Sequence, residues 1–280
     1  MERLVRAVVI AGCLGAVPAA AVECVQPADP GVYAGAEVMF FKPFAEAGSI
    51  PNEILVRTGA DDFMPAWRIW GGTVDDGGFG TRVRWWQYDQ LSADAAGYAS
   101  RLGFQKLDWE ATQQAAFGRW RLLGSGGLTY VANQLGETRP ADLGPSPYFP
   151  LRYRFDGVGV TLGLQAVRQG VWHPHWAVFG AVQWSAVYGN AVATQWGSGF
   201  ANTTVSKAIP GATGSILELA VGPRWERTLG NGVVAFAAGN AEAQLWTTGL
   251  GTTSYSMLPF YVRGGDVGLV GLTFQAGFRR

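Results

Sequence analysis

The chain has 280 residues, of which 48% are hydrophobic and only 15% charged, with a formal net charge of zero and a mean hydropathy of +0.09. Ordinary soluble domains carry roughly 25% charged residues, and a helical membrane protein is far more apolar, so the composition fits best a structure in which apolar and polar residues alternate. Zero net charge counts against a nucleic-acid partner, which selects a basic surface. A soluble β-sandwich stays open on composition alone.

Residues 1–22 read as an export segment. Arg3 and Arg6 precede the apolar run Ala7–Val17, and Pro18-Ala19-Ala20-Ala21 supplies small residues for cleavage. Ile10-Ala11-Gly12-Cys13 also has the form of a lipoprotein cleavage site, which makes Cys13 a candidate for lipidation, although the apolar stretch continues past it. After ordinary cleavage Cys24 is the one cysteine left, so no intrachain disulfide forms and a cysteine-rich metal site is excluded. No later stretch reaches the ~18 apolar residues of a membrane-spanning helix.

From Gly31 the pattern has period two, the signature of a strand with two distinct faces. In 31–42, Val32, Ala34, Ala36, Val38 and Phe40 share one face, while Tyr33, Gly35, Glu37 and Met39 share the other. Nine further strands are predicted at 64–75, 78–88, 102–113, 116–130, 153–167, 174–187, 214–227, 232–246 and 266–278. In 78–88, Phe79, Thr81, Val83 and Trp85 oppose Arg82, Arg84 and Trp86. In 153–167, Val158, Val160, Leu162 and Leu164 oppose Gly157, Gly159, Thr161, Gly163 and Gln165. In 214–227, Leu217, Leu219 and Val221 oppose Glu218, Gly222, Arg224 and Glu226. In 266–278, Val270, Leu272, Phe274, Ala276 and Phe278 share a face.

The connections alternate strictly in length. Short turns are expected at Asp75-Asp76-Gly77-Gly78, near Gln114-Ala115, near 169–173 and at Leu229-Gly230-Asn231-Gly232. Long connections are expected at 43–63, 89–101, 131–152, 188–213 and 247–265. Short turns at one end and long loops at the other are the layout of outer-membrane barrels, and loops this long are unusual in a soluble domain. The expected fold is all-β: a closed antiparallel up-and-down transmembrane β-barrel over residues 23–280, with about ten strands and eight or twelve as alternatives. Twelve Trp and nine Tyr suit aromatic girdles at the two interfaces. Trp67, Trp85, Trp109, Trp176 and Trp184 are the outward candidates, and other Trp fill a core.

The inward faces are expected to hold Glu37, Arg68, Arg82, Arg84, Lys106, Asp108, Glu110, Arg119, Arg121, Arg154, Glu218, Arg224, Glu226 and Glu242. Such a set makes either a charged constriction that filters solutes or an ion-pair network that closes the interior. Barrels of eight strands are filled by side chains, whereas wide channels need 16–18, and charges must pair in either case.

Catalytic machinery is not legible. His173 and His175 are the two histidines, in a His-Pro-His at a short turn, and two ligands across a proline are a weak metal signal. No spacing suggests a Ser–His pair with an orienting third group. Asp61-Asp62 and Asp75-Asp76 fall in a loop and a turn, where acidic pairs are usually solvated. Gly124-Ser125-Gly126-Gly127 lacks the lysine and the strand–loop–helix setting of a phosphate loop. The reading is non-enzymatic, with no cofactor and no metal.

Tyr33-Ala34-Gly35-Ala36-Glu37-Val38-Met39-Phe40-Phe41-Lys42-Pro43 resembles the first strand of the pore-forming outer-membrane proteins typified by the Legionella major outer-membrane protein, with related forms in planctomycete-like bacteria. The aromatic pair Ala66–Gly72 and Gly80–Trp86, then Leu107-Asp108-Trp109-Glu110 and Gly126–Tyr130, are similar to the strands that follow in that family. The resemblance covers about 31–132 in detail and the remainder by pattern. It implies an outer-membrane location and pore formation, and it assigns no catalytic residue. One departure is at the end of the chain, where Arg279-Arg280 follow Phe278 in place of a terminal aromatic. The function expected is therefore a porin-like barrel for passive passage of small solutes, or a structural barrel. Its partners are outer-membrane lipid and the barrel-assembly machinery, and it acts at the bacterial outer membrane. Two alternatives stand beside it: a binding or adhesion surface built from the long loops, and a soluble periplasmic β protein that takes an apolar ligand.

Overall fold

A computed structural model describes residues 30–45, 62–93, 99–138, 151–171, 173–196, 204–247, 256–257, 260–261 and 266–280. The expected export segment 1–22, Cys13, Cys24 and Asp61 lie outside the described residues. The strands are β1 (Gly31–Ala45), β2 (Met64–Val74), β3 (Phe79–Ala93), β4 (Ala99–Phe117), β5 (Trp120–Thr138), β6 (Leu151–Gln169), β7 (Trp176–Trp196), β8 (Thr204–Thr228) and β9 (Val234–Thr247), a small pair β10 (Ser256–Met257) and β11 (Phe260–Tyr261), and β12 (Val267–Arg279). Ten of them close into a single antiparallel barrel. Each pairs with its predecessor among the ten, and β1 pairs with both β2 and β12. Closure is what the backbone chemistry requires where water is absent, because it leaves no sheet edge with unpaired N–H and C=O groups.

All ten predicted strands form, and their faces are as predicted except at Arg119 and Arg154. The outward set of β6 is Val158, Val160, Leu162 and Leu164, each between 47% and 64% exposed, while Thr161 is fully buried. On this strand Asp156 and Arg168 bracket the apolar run. They are about twelve residues apart, which at ~3.3 Å per residue and a tilt of ~40° spans about 30 Å. The apolar band between them thus has the ~25 Å height of a lipid-facing belt.

Two features of the connections differ from the sequence reading. The second short turn lies at Gly118-Arg119 and not at Gln114-Ala115, because β4 and β5 stay paired out to Phe117↔Trp120 and Gly118 supplies the left-handed φ of 55° that reverses the chain. At the other end several expected loops are continuations of the hairpins. Only residues 94–98 separate β3 from β4, and β7 and β8 remain paired to Trp196↔Thr204. This β7–β8 hairpin passes over Pro210-Gly211, which reads as a loop in sequence. Gly189 pairs with Ala212 and Asn190 with Pro210, so Gly211, at φ 72°, is the extra residue of a bulge. Pro210 is tolerated there because, among the described residues, β8 meets β9 only from Ser215 onward, leaving no ladder with β9 at Pro210 to break.

Candidate functional site

The interior is stacked in three layers. At the end bearing the long connections, the inward positions are apolar and aromatic. Met39, Phe41, Trp86, Tyr88, Phe104, Tyr153, Phe155, Ile216, Trp246 and Leu269, among others, form one packed cluster across the lumen. Trp86 and Trp246 stack with centroids 5.1 Å apart, and Phe104 lies 4.7 Å from Trp246. Offset and tilted rings of this kind gain about 0.5–1.5 kcal/mol per pair beyond burial. The sequence reading singles out the inward charges of β3 and β4 and not this plug, although Trp86 shares parity with Arg82 and Arg84 and is legible from it.

Below the plug lies a charged layer. Arg68 of β2 reaches three carboxylates: Nη1 donates to Glu37 at 2.7 Å, and Nη2 donates to Glu242 at 2.8 Å and Glu218 at 3.0 Å. Arg84 donates to Asp108 through Nε at 3.1 Å and Nη2 at 2.8 Å, and to Glu218 at 3.3 Å. Lys106 donates to Glu218 and lies 3.4 Å from Asp108. Arg82 donates from Nε to Glu110 at 2.8 Å, and Ser125 donates to the other oxygen of Glu110 at 2.9 Å. Neutral groups complete the shell. Trp70 donates to Glu37 at 2.9 Å, Thr273 and Gln244 donate to Glu242 at 2.7 and 2.8 Å, and Gln183 donates to Asp108 at 3.2 Å. Among the described residues of this layer, four cations face five carboxylates. These contacts join strands on opposite sides of the barrel: Arg68 to Glu218 is a bond from β2 to β8. Among the described residues, side chains therefore bridge the lumen from wall to wall, and Lys106 at 2%, Asp108 at 1% and Glu110 at 1% exposure are deeply buried in the layer.

The third layer, at the short-turn end, is open. A cavity of ≈ 180 Å³ reaches up to Glu37, Arg68 and Glu242 and is lined lower down by Arg121, Arg224 and Phe236. A second void of ≈ 30 Å³ lies within the charged layer beside Arg84, Gln183 and Glu218. Here Arg121 donates to Glu226, Arg224 Nε lies 2.8 Å from the same carboxylate oxygen, and Gln169 donates to the other oxygen at 3.1 Å.

Of the fourteen charged residues assigned to the interior by sequence, Glu37, Arg68, Arg82, Arg84, Lys106, Asp108, Glu110, Glu218 and Glu242 meet in the charged layer, and Arg121, Arg224 and Glu226 meet below it. The remaining two are not interior. Arg154 shares the parity of Val158 on β6, faces outward and pairs with Asp156 at 2.7 Å with its side chain 65% exposed. Arg119 is exposed in the turn after Gly118, since that turn falls four residues later than the sequence reading sets it. On the outer surface Tyr130 donates to Asp156 at 3.1 Å, and Arg101 pairs with Asp89 at 2.7 Å, both toward the long-connection end. Trp85, Trp109, Trp176 and Trp184 face outward at 41–64% exposure. Trp67 packs edge-on against Trp85, with centroids 4.7 Å apart, and is half-buried by it.

Other candidate chemistry does not assemble. His173 and His175 are exposed with rings 5.4 Å apart, and no group of three metal-ligating side chains occurs among the described residues. Asp75 is a turn former whose Oδ1 accepts from the N–H groups of Gly77 and Phe79, each at 2.9 Å. Gly124–Gly127 lies inside β5.

No family model and no curated protein sequence matches the chain. Solved structures do. A major outer membrane protein from Thermus thermophilus is similar at 10% identity and a TM-score of 0.45, covering 90% of this chain and 100% of that one. The translocator domain of the autotransporter NalP from Neisseria meningitidis is similar at 10% identity and a TM-score of 0.45, covering 99% and 94%. The outer membrane protease OmpT from Escherichia coli is similar at 9% identity and a TM-score of 0.41, covering 89% and 93%. At these identities the likeness is one of barrel architecture and carries nothing about activity.

Proposed function

We propose that this chain is a bacterial outer-membrane barrel with a closed lumen: a structural, non-enzymatic barrel that presents its hairpins outside the cell and a blind vestibule to the periplasm. The observation that carries this reading is the wall-to-wall charged layer, in which every carboxylate engages a cation and the ring-packed plug covers it from above. The membrane part of the reading rests on the outward apolar band, bounded by Trp120, Trp176 and Arg168 at one end and by Tyr130, Asp156 and Arg154 at the other. Aromatic and charged residues at those two heights match the interfaces of a bilayer. Phe274 and Phe278, exposed on the outward face of β12 at 55% and 48%, are suited to recognition by the barrel-assembly machinery.

Solute passage is the second reading. The resemblance of residues 31–132 to Legionella-type pore formers favours it, as do the vestibule and the small void above it. In that case the charged layer is the constriction, and it must rearrange to conduct. Fractionation tests the proposal as a whole. A closed outer-membrane barrel is recovered with the outer membrane, migrates differently before and after boiling in SDS, and leaves liposomes impermeable to small sugars. Recovery as a soluble periplasmic protein without a mobility shift removes the membrane reading, and rapid liposome swelling replaces closure with passage.

A further inference from the structure

The carboxylates on the lower surface of the charged layer are satisfied. Both oxygens of Glu37 are taken by Arg68 and Trp70, and Glu242 takes Arg68, Gln244 and Thr273. The vestibule beneath it is not. Two guanidinium groups, Arg121 and Arg224, converge on one oxygen of a single carboxylate, Glu226, and Gln169 occupies the other oxygen. Each guanidinium carries five N–H donors, so this corner has a surplus of donors and one positive charge beyond its carboxylate.

Two buried amides face the same cavity. Gln275 and Asn240 are 7% and 4% exposed, and the Nε2 of the first and the Oδ1 of the second have no hydrogen-bond partner among the described residues. Buried polar groups are paired in the large majority of cases, so the donor Nε2 of Gln275 on this cavity points to a ligand that accepts; the acceptor Oδ1 of Asn240 is not a partner for an anion. Register sets Gln275 in the same row as the cation, two strands away: Arg224 pairs with Ala238, Ala238 with Gln275 and Gln275 with Glu37, across four strands. The adjoining wall is aromatic: Trp70 and Phe236 stack at 5.8 Å with planes 10° apart, and the guanidinium of Arg224 lies 3.9 Å over the Phe236 ring, so the rings cover one another's faces and turn their edges to the cavity they line. Small residues on the far wall, Ala181 and Ala220, leave the room.

We propose that the vestibule is a binding site for a small, flat organic carboxylate that enters from the short-turn end. The carboxylate bridges Arg121 and Arg224, a geometry that guanidinium favours. Gln275 donates to the carboxylate through Nε2, and the ring or other planar part packs against the edges of Trp70 and Phe236. A cavity of ≈ 180 Å³ admits a single-ring acid and excludes a peptide or an oligosaccharide. The site depends on the barrel and its register, and it stands whether or not the lumen conducts.

Titration calorimetry on the full chain folded in detergent tests this with three probes: benzoate, benzyl alcohol and inorganic phosphate. Benzoate binds saturably, and the other two bind about tenfold more weakly or not at all, because each lacks the charge or the ring. Arg224→Gln and Gln275→Leu each weaken benzoate binding by about tenfold, the loss of one charged or buried hydrogen-bonding partner. Arg154→Gln, on the outer wall, leaves it unchanged. The heat-dependent gel shift reports folding of each variant, and if Arg224→Gln does not fold, Ala220→Phe, which fills the cavity, takes its place beside Gln275→Leu. Absence of saturable benzoate binding by the folded wild type overturns the proposal. So does equal binding of benzyl alcohol or phosphate, and so does benzoate binding that the site variants leave intact.

Discussion

Replacing Glu218 by Gln takes away the one carboxylate that Arg68, Arg84 and Lys106 share. Each cation keeps something: Arg68 retains Glu37 and Glu242, and Arg84 and Lys106 retain Asp108. The loss is nonetheless that of a partner in a deeply buried interior, where Lys106 and Asp108 side chains are each 1% exposed. Removing one member of a buried pair costs about 3–5 kcal/mol where the other charge is left without compensation. Here the layer has one carboxylate more than it has cations and each cation keeps a partner, so the cost is at the lower end, about 3 kcal/mol, and comes from the lost charged hydrogen bonds to Glu218. Urea unfolding in detergent or lipid, followed by Trp fluorescence, reads this directly. With a slope of roughly 3 kcal/mol per M the midpoint falls by about 1 M. The double variant Lys106→Met, Glu218→Leu removes both partners and costs less than the sum of the single changes, with a coupling of about 1–3 kcal/mol. A Glu218→Gln variant within about 1 kcal/mol of wild type, the range of an exposed ion pair, refutes the claim that the layer holds the barrel closed.

Arg154→Gln breaks an ion pair whose basic side chain is 65% exposed, so its stability changes by less than about 1 kcal/mol in the same assay. Trp246→Ala empties the centre of the plug, where Trp246 is 1% exposed, and costs about 3–5 kcal/mol; the variant stays non-conducting because the charged layer still spans the lumen. Gly78→Ala is expected to cost well over about 1 kcal/mol, since the position has φ 77° and a Cβ would sit 2.5 Å from the carbonyl oxygen of Gln114. Gly118→Asn serves as its contrast in the same melt: φ is 55°, nothing lies within 4 Å of a Cβ, and Asn tolerates the left-handed region, so the loss stays within a few tenths of a kcal/mol.

The fold is legible because a barrel strand is specified locally. One buried and one exposed face impose period two, and Val158–Leu164 or Val270–Phe278 declare it without reference to any other strand. Strand ends are less legible, since the hairpins extend past the apolar band into segments such as 204–213, where pairing and not burial holds the chain. Pro210-Gly211 reads as a loop for that reason, and only the absence of β9 from that edge explains why the ladder survives it. The charged interior follows from parity wherever parity is kept. Placing Arg154 inside goes against the parity of its own strand, and Arg119 is misplaced with its turn. Pairs between neighbouring strands, Glu37 with Arg68, Arg82 with Glu110 and Arg84 with Asp108, follow from register, but which charges meet across the lumen is not readable. The partnership of Arg68 with Glu218 depends on the stagger of ten strands around the barrel, and so does the vestibule left by Ala181 and Ala220.

Current across a planar bilayer carrying the refolded full chain tests closure most directly. The account predicts a silent membrane over the voltages at which general porins conduct, with protein incorporation verified independently. Stable ohmic channels from the wild-type chain contradict it, and show that the charged layer is a constriction through which ions pass.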